Sequence, residues 1–213
     1  MNIAVCMESP SGRASRRALS FALRLGAEHP VTILCVGAQE PPAVRTSGAQ
    51  RAVCVRDEAL AAADHATRAL VLAEGARHLH ADLVLAGAAS DDEGRGLVPA
   101  ALAHQLHVPI LAHAQSLALA AADEFAITLC SGGQRLRLGH KGPLVVTVAP
   151  HREEVPQTND AAPPLAWEFL SLAQLGLDAS RLLRRPNLLG ELEQPARPEV
   201  LSVSALVARW LRK

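Results

Sequence analysis

The chain has 213 residues, which is long enough for one well-buried domain with an appendage. Its 21 basic and 21 acidic side chains balance, so no general attraction to nucleic acid or to an anionic membrane surface is expected. No apolar run approaches the ~20 residues that span a bilayer, and no signal peptide is recognisable. We therefore expect a cytoplasmic protein that does not insert directly into a membrane.

The first half of the chain alternates between strand and helix patterns. Short apolar runs predict strands, and apolar residues at three- and four-residue spacing predict helices. Pro41, Pro42 and Gly48 mark a loop that leaves little room for a helix between the second and third strands. The predicted strands are Asn2–Cys6, Val31–Val36, Val53–Val55 and Asp82–Ala86, and the predicted helices are Ser15–Ala27, Glu58–His80 and Leu97–Leu106.

The pattern changes after an extended segment that begins at Val108-Pro109-Ile110. Two apolar stretches flank the glycines of Ser131-Gly132-Gly133, which predicts an antiparallel hairpin. We divide the chain into a core domain, residues 1–150, and residues 151–213, a linker and C-terminal arm that wraps a partner subunit. The elements predicted in this half are hairpin strands Phe125–Leu129 and Gln134–Leu138, a strand over Leu144–Val148, a linker over His151–Pro164, a helix over Leu165–Leu175, an extended stretch over Arg181–Pro198 and an amphipathic helix over Val203–Leu211.

Strand–helix alternation over the first ~110 residues predicts an α/β fold with a doubly wound, mostly parallel sheet. We expect the strand order 3-2-1-4-5, in which the first and fourth strands are neighbours at the switch point where such sheets bind ligands. The loops over residues 9–15 and 87–96 would then face each other across one crevice. Helix N-terminal N–H groups, together with Arg13, Arg16 and Arg17, favour a phosphate there.

The loop after the fourth strand is acidic and rich in glycine. Its carboxylates Asp91, Asp92 and Glu93 could contact a metal or a ribose hydroxyl, or they could simply precede a helix, where the helix dipole favours negative charge. We expect ligand contact mainly through backbone N–H groups and Arg95.

Several other chemistries are disfavoured. The P-loop and dinucleotide glycine motifs are absent, and so is G-x-S-x-G, which makes Ser131 a hairpin residue. The spacing of His104 and His107 permits a metal, but no Cys or acidic ligand converges on them, so solvated or capping histidines are favoured. The cysteines lie inside apolar runs without a C-x-x-C pair, which predicts buried thiols without disulfide bonds at Cys6, Cys35, Cys54 and Cys130.

Segments spread over much of the chain, in the same order, resemble the beta subunit of electron transfer flavoprotein. Each motif is short, and the resemblance depends on their order and spacing. The matching segments are Gly48–Val53 ("GADRAI"), Ala69–Ala73 with Asp82–Gly87 ("ARVLA…DLVLLG"), Gly132-Gly133 with Leu136–Leu138 and Pro143–Val148 ("GG…LRLKLPAVVTV"), Leu175–Asp178, and Ser204–Arg209.

The resemblance implies a Rossmann-like fold of the adenine nucleotide alpha hydrolase type with an extended C-terminal arm. It implies an electron carrier subunit with no catalytic acid or base of its own, paired with an alpha subunit that holds most of the FAD site. It also implies an AMP with a structural role at the crevice. The positions that fall on cofactor contacts are Ala4, Gly12, Arg13, Ala14, Ser15, Val36, Gly87, Asp91, Asp92, Gly94, Arg95 and Gly96.

The expected function is to pass electrons from a dehydrogenase toward a quinone reductase or respiratory chain. The family's lysine-rich docking segment is missing, and Glu153, Glu154, Asp160 and Glu168 stand near its place, which favours one dedicated dehydrogenase. Two alternatives remain open. One is a stand-alone adenine-nucleotide-binding protein of the universal stress type, although no Gly stands three residues beyond Gly87 as that motif requires. The other is a structural subunit that has lost its nucleotide.

Overall fold

The computed structural model describes residues 1–7, 12–25, 29–46, 48–88, 96–121, 124–131, 133–148 and 162–182. The strands are β1 (Ile3–Cys6), β2 (Val31–Gly37), β3 (Arg51–Arg56), β4 (Leu83–Gly87), β5 (Ile110–Ala121), β6 (Glu124–Ser131), β7 (Gln134–Lys141), β8 (Leu144–Val148) and β9 (Trp167–Leu170). The helices are α1 (Arg13–Leu25), α2 (His65–His78), α3 (Leu97–Leu106) and the short α4 (Ala179–Leu182).

All nine strands form one sheet in the order β7-β6-β5-β8-β4-β1-β2-β3-β9. In this order, each strand between β5 and β9 is parallel to its neighbours. The strands β6 and β7 add an antiparallel extension beyond β5. The predicted α/β class, the mostly parallel sheet and the hairpin around Ser131 are therefore confirmed. The neighbouring positions of β1 and β4 are confirmed as well, with Cys6 paired in register with Ala86.

The expected order 3-2-1-4-5 is wrong at its last position, because β8 lies between β4 and β5. All five residues of β8 are buried, and a strand of that kind needs a hydrogen-bonded neighbour on each side. β5 pairs with β8 only over its beginning, and its register shifts between Leu111 and Ala114. At that irregularity His113 has a positive φ of 60° and donates its backbone N–H to Thr147 Oγ1 at 3.0 Å. β5 then continues into the antiparallel extension.

Helices cover both faces of the sheet, and small side chains keep them close to it. α1 packs on one face through Ala18 and Ala22, both fully buried, in a cluster with Ile3, Val5 and Leu85. On the other face α2 and α3 pack against apolar side chains such as Leu34, Val53 and Val84. None of the helices in the described part of the chain has the length and apolar character needed to cross a bilayer.

The single long helix expected over Glu58–His80 is wrong in its first part. A 3-10 helix covers Glu58–Ala62, and α2 begins separately at His65. Two aspartates cause the break by capping two helix starts. Asp57 accepts from the N–H of Ala59 at 3.0 Å, and Asp64 accepts from the N–H of Thr67 at 2.7 Å.

The helix expected over Leu165–Leu175 is also wrong. This segment begins with β9, which pairs in parallel with β3, and ends in a 3-10 helix over Ala173–Leu175. A backbone hydrogen bond fixes the start of this segment, since the N–H of Leu165 donates to the carbonyl of Val44 at 2.9 Å. Trp167 and Phe169 are typical strand residues, and Glu168 binds Arg51 on β3 through two hydrogen bonds of 2.9 and 2.7 Å.

Several predicted elements lie outside the described residues. They include most of the His151–Pro164 linker, the Val203–Leu211 helix and nearly all of the Arg181–Pro198 stretch. Arg181 itself belongs to α4 rather than to an extended segment. The C-terminal arm of residues 151–213 therefore stays a prediction, except that residues 167–170 belong to the sheet.

The pair between Arg51 and Glu168 makes a testable contribution at the β3–β9 edge. The Arg51 guanidinium lowers the pKa of the Glu168 carboxyl through its hydrogen bonds. A lowered folded pKa means that the stabilisation is complete above the ordinary Glu pKa and disappears as the pH falls below about 4. Both side chains are half-exposed, so Glu168→Gln should cost at most about 1 kcal/mol in the free energy of unfolding at pH 7.

Urea unfolding of both proteins at pH 7 and in the acid range measures this difference, which should shrink as the pH falls. Arg51→Lys serves as the matched variant, because it keeps the charge and loses the two-bond geometry. A difference between wild type and Glu168→Gln that does not change with pH would contradict the assignment.

Candidate functional site

The candidate site lies where β1 and β4 end side by side at the carboxyl edge of the sheet. α1 follows β1, α3 follows β4, and both helices therefore begin at this edge. Helix N-termini present N–H groups without intrahelical partners, so two of them beside one switch point form a place suited to an anion. This arrangement is the crevice that the strand order of β1 and β4 predicts.

Gly87, the last residue of β4, sets the spacing between the sheet and α1. A Cβ added at Gly87 would lie 2.5 Å from the Cβ of Ala14 and 3.0 Å from its carbonyl carbon. Such distances are too short for any side chain larger than hydrogen. The first turn of α1 thus rests directly on the end of β4, and the absence of a side chain at Gly87 makes that approach possible.

The floor of the crevice is apolar and closely packed. Ser15, only 4% exposed, lines a cavity of about 20 Å³ together with Cys6, Gly87, Val98 and Pro99. A cavity of this volume admits one water-sized group and no nucleotide base. A ligand of nucleotide size would therefore have to lie above this floor, against the helix starts.

The charges at the helix starts favour an anion. The first turns of α1 and α3 contain no acidic residue, and Arg13, Arg16 and Arg17 lie on the first two turns of α1. Among the described residues, the buried Nε of Arg16 has no hydrogen-bond acceptor. Gly96 caps α3 with a left-handed backbone (φ 57°), and no side chain of the described residues caps the first N–H groups of α3.

The predicted cofactor contacts do not all lie together. The structure brings Gly12, Arg13, Ala14, Ser15, Gly87 and Gly96 to this edge. Ala4 lies in the middle of β1, is 1% exposed and packs in the core on the α2 and α3 side. Val36 is one strand further along, at the end of β2. Asp91, Asp92, Gly94 and Arg95 lie outside the described residues, as does Glu93.

A second, larger cleft lies at the ends of β2 and β3, and sequence reasoning missed it. It has a volume of about 420 Å³ and is lined by Cys35, Val36 and Cys54, by Arg68 of α2 and by residues 37–42. The two cysteines are 19 positions apart in the sequence, and no local pattern reveals that their strands are neighbours. The sequence signal available for this cleft was that each cysteine lies in a short apolar run that predicts a strand.

The histidines give no sign of a metal centre in the part of the chain that the structure describes. The rings of His104 and His107 are edge-to-face with centroids 6.3 Å apart. No group of three His, Cys, Asp or Glu side chains lies close enough together among these residues to hold a metal ion. His107 instead ends α3 with a left-handed backbone, its N–H donating to the carbonyls of Ala103 and His104.

Comparison with known protein families identifies a domain that covers most of this chain. The family model described as "Electron transfer flavoprotein domain" matches residues 11–168, which is well over half of the chain. The matched span runs from the residues before α1 into β9 and so contains both helix starts of the crevice. No curated protein is similar enough in sequence to count as a relative.

The contact between Gly87 and Ala14 predicts a sharp difference between two glycine substitutions. Gly87→Ala should lower the free energy of unfolding by about 1–3 kcal/mol, because α1 must move away from β4 to admit the methyl group. Gly37→Ala is the matched control: Gly37 ends β2 as Gly87 ends β4, but its added Cβ meets nothing closer than 3.8 Å. Denaturant unfolding of the two variants measures the difference, and equal stability losses would refute the close approach.

Proposed function

Because the chain belongs to the electron transfer flavoprotein family, we propose that it is the beta-type subunit of a heterodimeric electron transfer flavoprotein. In this role it joins an alpha subunit that holds most of the FAD site, and the complex passes electrons from a dehydrogenase toward a quinone reductase. FAD supplies the electron-carrying chemistry. This chain frames the flavin and recognises partners. The observation that carries the proposal is the crevice at β1 and β4, inside the span that the family model matches.

The beta-type assignment is supported by where its motifs lie. Gly48–Val53, which resembles "GADRAI", runs into β3 and contains the buried Ala52. Leu136-Arg137-Leu138 forms the middle of β7, and Leu144–Val148 coincides with β8. These three resembling segments thus contribute strands to one sheet, and this agreement favours a shared fold over chance similarity of short motifs.

The proposed AMP site uses the two helix starts. The phosphate would lie against the N–H groups of Gly12–Ser15 and of the turn at Gly96, where neither helix has an acidic first turn. The Nε of Arg16, which has no acceptor among the described residues, adds a donor near the same helix start. Gly87 leaves α1 close to β4. The residues present therefore fit a small phosphate-bearing ligand.

A carrier without acid–base chemistry of its own is the proposal that these residues support. In the described part of the crevice, small apolar groups, Ser15 and cationic side chains are present at the edge where α1 and α3 begin. In electron transfer through a flavin, these groups have to hold and orient the cofactor. The transfer does not require them to donate or accept a proton.

One dedicated dehydrogenase remains our proposal for the electron donor. Of the four acidic residues behind it, Glu168 is occupied by Arg51 across β3 and β9. Glu153, Glu154 and Asp160, outside the described residues, would then carry the negative charge that repels acidic dehydrogenase surfaces.

Co-expression with an alpha-type partner tests the assembly. We expect a yellow heterodimer with one FAD, and a colourless protein when the chain is expressed alone, since most of the flavin site belongs to the partner. Size-exclusion chromatography with an absorbance spectrum of the flavin region measures both properties. A chain that stays monomeric and colourless beside the partner but binds adenine nucleotide would favour the universal-stress alternative.

The crevice predicts stabilisation of the assembled complex by AMP. A ligand that binds only the folded state at 100 times its Kd adds about 2.7 kcal/mol, and a melting curve with millimolar AMP measures the corresponding rise in Tm. Arg95→Glu should remove this rise by placing negative charge beside the phosphate. Arg137→Glu, an exposed position on β7, is the matched charge control and should keep it. A Tm that ignores AMP, measured after removal of any co-purified nucleotide, would indicate that nucleotide binding has been lost.

A further inference from the structure

Two thiols stand side by side at the ends of β2 and β3. Cys35 and Cys54 are register partners in the parallel pairing of these strands. Register partners in a sheet point to the same face, and their Cα atoms are separated by about 4.8 Å, the spacing of neighbouring strands. That separation falls within the roughly 4.4–6.8 Å that a disulfide spans between Cα atoms. The spacing of the two backbones is therefore compatible with a disulfide between Cys35 and Cys54.

The pair is shielded by protein yet borders open space. Cys35 and Cys54 are 4% and 1% exposed, and both line the cleft of about 420 Å³ at the end of their strands. A water molecule occupies about 30 Å³ of liquid, so the cleft admits small polar molecules of that size class. A small oxidant could therefore enter the cleft and reach its walls.

The surroundings of the two thiols shift their pKa values in opposite directions. A hydrogen bond from the Cys35 thiol, helped by the charge of Arg56, lowers the pKa of Cys54 against the opposing effect of burial. The same bond, together with burial, raises the pKa of Cys35. The thiolate, which is the reactive form, is therefore easier to form on Cys54 than on Cys35.

We propose that Cys35 and Cys54 are a redox-active dithiol that a small peroxide converts to an intramolecular disulfide. The Cys54 thiolate attacks one peroxide oxygen, the O–O bond breaks, and Cys54 becomes a sulfenic acid while hydroxide leaves. Cys35 then attacks the Cys54 sulfur, the S–O bond breaks, and the proton of the Cys35 thiol leaves with the oxygen as water. In sum, two thiols lose two electrons and two protons to hydrogen peroxide, which becomes two waters.

The Cys35–Cys54 disulfide would constrain the loop that starts at the end of β2. That loop, described over residues 38–46 and 48–50, contacts β9 through the carbonyl of Pro42, which accepts from Trp167 Nε1 at 3.3 Å. It also contacts the residues before β9 through Arg45, which donates to the carbonyl of Ala162 at 3.1 Å. Oxidation would lock the two strands between which the loop runs. This inference does not rest on the proposed function, because it uses only the thiols and their cleft.

The sequence offers a clean way to map the bond. Trypsin places the four cysteines in four different peptides, residues 1–13, 25–45, 52–56 and 96–135. The full-length protein, alone or in its complex, is treated with increasing hydrogen peroxide, quenched by alkylation at low pH and analysed by mass spectrometry. We expect peptides 25–45 and 52–56 to become linked before the Cys130 peptide is oxidised, and a thiol reductant to release them. Free, alkylatable Cys35 and Cys54 beside an oxidised Cys130 would overturn the proposal.

Single variants separate the two roles. In Cys35→Ala, Cys54 should accumulate as a sulfenic acid that dimedone traps, whereas in Cys54→Ala, Cys35 should stay unmodified at the same peroxide concentration. Cys6→Ala is the matched control, because Cys6 is in register with Leu34 and so points to the opposite face from Cys35. It should form the disulfide at the wild-type rate. Loss of the Cys35–Cys54 disulfide in Cys6→Ala, or dimedone trapping at Cys35, would refute the assignment of the two roles. If a variant fails to fold, the peptide analysis of the wild-type protein still tests the disulfide.

Discussion

The closeness of α1 to the end of β4 is the constraint on which the rest of this molecule depends. Gly87 offers no side chain, so the first turn of α1 lies against the strand end with Ala14 in direct contact. The same helix continues across the sheet through Ala18 and Ala22, which are fully buried. In a chain with only 2% aromatic residues, the core fills its volume by bringing backbones together rather than with large aromatic side chains. The close packing at Gly87 brings the start of α1 against the sheet edge at which α3 also begins, because β1 and β4 are parallel and each is followed by a helix.

The sheet is extended in different ways at its two edges. On one side β5 leaves the parallel layer at the irregularity near His113 and continues into the antiparallel strands β6 and β7. On the other side β9 returns from far along the sequence to cover β3, held by the Arg51–Glu168 pair and by the contact of Arg56 with the Phe169 ring. The span of the electron transfer flavoprotein family match reaches into β9, so the outer strands are part of the family's domain.

Neighbouring strand ends divide the carboxyl edge into two places with different chemistry. At β1 and β4 the described residues supply helix N–H groups and arginines, which favour an anion. One step along, at β2 and β3, the cleft contains two thiols and is lined by the loop that follows β2. Val36, a predicted nucleotide contact, lines this second cleft rather than the first.

The sequence by itself determined the elements whose signals are local. Apolar runs marked β1, β2, β4 and β8 to within a residue or two, the glycines after Ser131 marked the hairpin, and α3 coincides with its predicted bounds. Motif order identified the family, because short patterns in sequence register need no three-dimensional information. The capping aspartates Asp57 and Asp64 were also readable, yet the continuous helical periodicity around them hid the break.

Tertiary structure alone decided what depends on pairing between distant segments. β8 lies between β4 and β5 because a fully buried strand needs two neighbours, which no window of sequence can reveal. Residues 167–170 form a strand because β3 offers them an open edge and Arg51 a charge partner, and these outweigh their local helical pattern. The contact of Gly87 with Ala14 and the register of Cys35 with Cys54 have the same origin. Each joins residues far apart in the chain, whose proximity exists only after the sheet has formed.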